Sequence, residues 1–192
     1  RFLDRRGPGP HHMTFKVPDI DAALQATEAA GYRPIGVNLT DPHWKEAFLH
    51  PKDAPGVVIQ LAQSGGEWSS PAPAEFPAPR RSTATLDYVG HAVARFDDGT
   101  RLFGALLSGN EVGRGHDELL ASDWVEYDWP SGGVVRLFEM PAWLDGDTGR
   151  LHHVAFTTVD AQEVSDAKPT GDGRYEVPPD ANLGLRLLLT SA

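Results

Sequence analysis

Apolar and polar residues alternate in short bursts along this chain, and the bursts return in the same order. Met13, Phe15 and Val17 interleave with His12, Thr14 and Lys16, which predicts a half-buried strand. Asp19 then stands as an N-cap for a helix over 20–30, with Ile20, Ala23, Leu24 and Thr27 on one side and Gly31 as its stop. Strands are predicted at 35–38, 45–49 and 56–62, with Pro51, Asp53, Pro55 and Gly56 turning between the last two. The unit reads β-α-β-β-β.

The order repeats. A strand over 89–96 leads to an amphipathic helix carrying Leu102, Phe103, Leu106 and Leu107, closed by Gly109. Strands at 111–119, 124–129 and 134–140 follow, the last two joined by Pro130-Ser131-Gly132-Gly133. A third strand of the same kind begins at Leu151, and a last one spans 183–190. The stretch between them is too short and polar for a full helix, so this unit is read as degenerate. The organisation predicted is a βαβββ module over 1–63, a Pro-rich linker over 64–86, a second module over 87–142 and a degenerate third over 150–192. Phe2-Leu3-Asp4-Arg5-Arg6-Gly7 reads as the end of a helix, which leads us to expect that native sequence, including an upstream module, precedes Arg1.

Composition narrows the function. No apolar run is long enough to span a bilayer and no export signal stands at the start, which predicts a cytoplasmic protein with no membrane partner. The absence of cysteine removes disulfides and thiolate metal sites. A net charge of −10 disfavours nucleic acid, which needs a basic surface, and leaves a small molecule as the expected partner. Each module opens on a histidine at the start of its first strand: His12, His91 and His153. Imidazoles at one point of a repeating unit suggest ligands converging on one site.

The stretches "GPGPHHMTFKVPDIDAALQATEAAGYRPI" and "KEAFLHPKDAPGVVIQLAQ" resemble the second module of a methylmalonyl-CoA epimerase. More generally, tandem βαβββ units resemble the vicinal oxygen chelate superfamily, which includes glyoxalases, extradiol dioxygenases and bleomycin-resistance proteins. That resemblance implies an α+β fold in which modules pair into curved mixed sheets around a cleft. It also implies a divalent metal (zinc, manganese, nickel, cobalt or iron) held by the first and last strands of paired modules. If the first two modules pair, the matching residues are His12, Gln60, His91 and Glu139, with 48 residues between the members of each pair. If the second and third pair, they are His91, Glu139 and His153. Gln60 stands where an epimerase carries a glutamate.

Glu46 and Glu126, on strands expected to line the cleft, are candidate general bases beside Glu139, and Trp124, Tyr127 and Trp129 are candidate cleft walls. The function expected is a metal-dependent isomerase or lyase acting on a small carbonyl or acyl substrate, where the ion would stabilise an enediolate. An iron-dependent dioxygenase and a metal-free binder of an antibiotic-like molecule are the alternatives. Three modules leave one without an internal partner, which predicts a homodimer.

Overall fold

The computed structural model describes residues 3–4, 7–65, 73, 75 and 84–192. The predicted Pro-rich linker, and the predicted helix end before Gly7, therefore lie largely outside the described residues. Among those described, twelve strands form two sheets.

The first sheet is built by β1 (His12–Lys16), β2 (Pro34–Asn38), β3 (Trp44–Leu49) and β4 (Val58–Ser64), with α1 (Ile20–Ala29) crossing from β1 to β2. Asp19 starts the helix as the sequence predicts: its carboxylate accepts hydrogen bonds from the N–H groups of Asp21 and Ala22. The strand order is β1-β4-β3-β2, with β1 parallel to β4 and the other pairs antiparallel.

The second sheet has eight strands. β5 (Thr85–Val93), β6 (Asn110–Asp117), β7 (Ser122–Asp128) and β8 (Val134–Glu139) repeat the pattern, with α2 (Phe96–Gly99) running on into a π-helical stretch, Thr100–Leu106. A short helix α3 (Pro141–Leu144) leads to β9 (Gly149–Thr158), β10 (Lys168–Pro169), β11 (Arg174–Val177) and β12 (Arg186–Ser191). The order β10-β11-β12-β9-β5-β8-β7-β6 contains two copies of the first sheet's arrangement, joined where β5 runs antiparallel to β9. In the last copy the helix is reduced to a 3-10 turn, Ala161–Glu163. Its two-residue and four-residue strands β10 and β11 are too short for alternation to reveal them in the sequence.

The first sheet and its helix lie against the helix-bearing face of β5–β8. Ile20, Leu49, Ile59 and Leu61 share one core with Val93, Leu102, Phe103 and Leu137. A second core, on the opposite face of the eight-stranded sheet, gathers Tyr88, Phe138, Ala155 and Leu188. At the junction main chain meets main chain. A Cβ built on Gly56, which has φ +65°, would lie 1.5 Å from the carbonyl oxygen of Gly149.

Candidate functional site

Strand register decides which predicted residues can meet. On the helix face, Met13 pairs with Ile59 in the first sheet and Val89 with Val135 in the second. The offset between equivalent positions is thus 76 (13 to 89, 59 to 135). His12 and His91 are 79 apart, which is three residues out of step. Because strand side chains alternate, an odd slip moves a residue to the other face. The structural counterparts of His12 and Gln60 are therefore Tyr88 and Arg136, not His91 and Glu139.

The five predicted ligands accordingly fall on three surfaces. His12 is exposed on the open face of the first sheet, the face turned away from α1, where its Nδ1 lies 3.1 Å from that of His11. Gln60 shares that face and is only 9% exposed. Its Oε1 accepts from the Thr14 hydroxyl at 2.7 Å, and its Nε2 donates to Glu46 at 2.7 Å. Glu46 also accepts from the Trp44 indole N–H, so this predicted base is the anchor of a polar chain across β1, β4 and β3.

His91 is fully buried on the helix face of β5, against Phe103. Its Nε2 lies 2.8 Å from the Pro55 carbonyl, and a carbonyl only accepts, so Nε2 carries the proton. Burial pushes this imidazole down to about 4, with the Pro55 bond opposing. It joins the two sheets as a neutral group. Glu139, exposed at the end of β8, accepts the Phe96 N–H at 2.9 Å and so caps α2.

His153 lies on the remaining surface, in the core between β5 and β9. Gly90 makes room for it: a Cβ there would sit 2.2 Å from the imidazole Cε1. A bulge at this point places His152 next to it, with the two Nδ1 atoms 2.8 Å apart. Arg186 can only donate, so the His152 Nε2 at 3.2 Å accepts from it. His152 then donates through Nδ1 to His153, whose Nε2 donates to the Tyr88 hydroxyl at 3.3 Å. Burial drives both imidazoles down, His152 to about 4 and His153 further, and Arg186 adds to each effect.

These residues do not form one donor set. His91 gives its Nε2 proton to Pro55 and keeps a buried, unpartnered Nδ1, whereas Glu139 caps α2 and His153 bonds His152 and Tyr88. Among the described residues no group of three or more His, Asp or Glu lies close enough to hold a metal ion. Glu126, the third predicted base, is ion-paired with Arg136 at 2.6 Å. The guanidinium of Arg136 stacks over the rings of Tyr88 (3.9 Å) and Trp124 (4.3 Å). Sequence reasoning missed this group, although one signal was available: the Glu126–Arg136 and Glu176–Arg186 pairs share a spacing of ten, and both are formed.

What the fold does create is a cavity of about 890 Å³ between the two sheets. Phe15, Val17, Ala22, Ala23 and Ala26 line one side, and Val89, Leu106, Leu107, Trp129 and Leu151 the other. Phe15 and Trp129 meet edge to face with ring centres 5.1 Å apart. Polar groups stand among the walls: Thr14, Lys16, Ser108 and Ser131, with the predicted ligands His12 and His153 also in the lining. Of the aromatics proposed for a cleft wall, Trp129 lines this cavity, whereas Tyr127 is core and Trp124 stacks on Arg136.

No protein-family model matches the chain, and no curated protein matches its sequence. Solved structures do match its shape. A protein from Staphylococcus aureus aligns with all of this chain and 70% of its own length, at 8% identity and a TM-score of 0.61. A provisionally named dioxygenase from Bacillus subtilis aligns with 96% of the chain at 15% identity and a TM-score of 0.53, and the chain spans 64% of that protein. A methylmalonyl-CoA epimerase from Streptomyces coelicolor aligns with 58% of the chain and 96% of its own length, at 21% identity and a TM-score of 0.47.

Proposed function

We propose that this chain, which has the α+β fold of the vicinal oxygen chelate superfamily, binds a small, largely apolar molecule in the cavity between its two sheets, without a resident metal. The observation that carries the reading is the cavity itself. Its volume of about 890 Å³ lies within the range of small-molecule sites, and apolar walls with a few polar groups are the usual composition of such sites. Of the functions the sequence suggested, the metal-free binder is the one this geometry supports. A metal-dependent isomerase or lyase, or an iron dioxygenase, needs its donors in one place.

Titration with 1-anilinonaphthalene-8-sulfonate tests the cavity, read through dye fluorescence and the quenching of Trp129. Saturable binding with one site per chain is expected, and Ala26→Trp, which fills the cavity from α1, should weaken it at least tenfold. Binding that never saturates, or that ignores Ala26→Trp, would sink the reading. Titration calorimetry with zinc, manganese, nickel, cobalt and ferrous iron should show no site tighter than micromolar, and a stoichiometric site would restore the metal-dependent alternatives.

A further inference from the structure

Two helices at equivalent places in two units are wound differently. At the offset of 76, Ile20 corresponds to Phe96 and Pro34 to Asn110, so helix start and following strand coincide in the two units. Between these points the first unit has a ten-residue α-helix. The second has four α-helical residues and then seven, Thr100–Leu106, in π winding. A π turn closes its bond on the carbonyl five residues back, and so holds more residues than an α turn.

The surplus shows where the helix ends. In the first unit the chain leaves through Gly31, in the left-handed region at φ +82°. Its counterpart is Leu107, yet the left-handed residue is the next one, Ser108, at φ +56°. The hydrogen bonds slip with it. Tyr32 N–H donates to the Thr27 carbonyl, whereas the counterpart of that carbonyl, on Phe103, accepts from Gly109 and not from Ser108. Glycine enters the left-handed region at no steric cost, and serine is strained there.

This mismatch falls on the cavity. Leu106, Leu107 and Ser108 form part of its wall, and so does Trp129. The Trp129 indole N–H donates to the Leu107 carbonyl at 2.7 Å. Its ring also packs on Gly109, where a Cβ would lie 2.9 Å from Cζ2. The winding of the helix therefore sets where the Trp129 wall stands. Letting one residue out of the helix would move the left-handed stop back to Leu107, give the Phe103 carbonyl to Ser108 and turn the Leu107 carbonyl from the indole. The first unit closes in that form over the same number of residues. Phe103 and its counterpart Thr27 are both fully buried, so either winding keeps this position in the core.

Resting on the cavity reading above, we propose that Thr100–Ser108 is an adjustable wall of the ligand site: it passes from π to α winding, releases Trp129 and so admits ligands broader than the cavity as it stands. The small probe is the anilinonaphthalene dye, and the broad one is its covalent dimer, bis-anilinonaphthalene sulfonate. Ser108→Gly relieves the strain that opposes the present winding, so it should weaken the dimer about fivefold and leave the single dye within about twofold. Leu107→Gly supplies glycine where the first unit has Gly31. It should tighten the dimer about fivefold relative to Leu107→Ala, which removes the same wall side chain without favouring the left-handed region. In the wild-type complex with the dimer, hydrogen-exchange protection should pass from the Gly109 amide to the Ser108 amide.

If the single dye binds but Leu107→Gly and Leu107→Ala affect the dimer alike, the adjustable wall is overturned while the cavity reading stands. The same follows if Ser108→Gly leaves the dimer unchanged, if protection stays at Gly109, or if the dimer binds neither wild type nor Leu107→Gly. If the single dye does not bind at all, both readings fall. Should circular dichroism show Leu107→Gly unfolded, Ser108→Gly and the exchange of the wild-type chain decide alone.

Discussion

The two sheets start from the same unit and end differently. In the eight-stranded sheet, β5 is paired with β9 and the face opposite the helix is filled by Tyr88, Phe138, Ala155, Leu188 and the sandwiched Arg136. In the four-stranded sheet, the same edge meets a cavity, and the same face carries the polar chain Thr14–Gln60–Glu46–Trp44. Pairing thus commits a unit to structure. There His91, His152 and His153 become neutral packing groups, and Glu126–Arg136 and Glu176–Arg186 become partly buried ion pairs. The first unit, whose β1 has one ladder partner among the described residues, carries a polar chain on that face instead.

Substituting across this divide should reveal it, beginning with the largest effect. Gly90→Val forces a side chain into the imidazole of His153 and separates β5 from β9, so it should cost on the order of 3 kcal/mol or more in chemical denaturation. Acidification should act nearly as strongly. His91 is held down at about 4 in the folded chain against 6.5 when unfolded, so the unfolded state binds the extra proton. Stability from this group is complete above pH 6.5, declines as pH falls below it, and is lower by roughly 3 kcal/mol at pH 4. In His91→Phe the proton uptake on unfolding between pH 4 and 6.5 should drop by about one.

Arg136→Met removes a cation from between two rings and leaves Glu126 without its partner. Both ionised groups are about one-fifth exposed, so a loss of about 1–2 kcal/mol is expected, with near-ultraviolet dichroism reporting the freed Tyr88 and Trp124. The smallest change should come from the first sheet. Glu46→Gln keeps the shape of the chain Trp44–Glu46–Gln60 and removes only its charge, so it should cost less than about 1 kcal/mol. A larger loss there than in Arg136→Met would reverse the contrast between the sheets.

How much of this was legible in the sequence follows from what alternation encodes. Met13, Phe15 and Val17 against His12, Thr14 and Lys16 gave the faces of β1, and Asp19 gave the start of α1. The fold could be read, because the order of such signals recurs. The candidate ligands were aligned instead by the shared spacing of 48 between His12 and Gln60 and between His91 and Glu139. Spacing along one unit says nothing about phase between units, and a slip of three carried His91 to the wrong face. The cavity was illegible for another reason: its walls come from four or more elements, and nothing in α1 marks Ala22, Ala23 and Ala26 as facing a space.

The contact between Gly56 and Gly149 bears on how such a protein can change over generations. Repeated units suggest interchangeable parts, duplicated and shuffled freely. Here the turn of one unit and the entry strand of another touch through bare backbone, with the Pro55 carbonyl held by His91 alongside. A replacement first unit arriving by recombination would have to bring glycine at the first position into register with glycine at the second. The sequence repeats, but its pieces are inherited together.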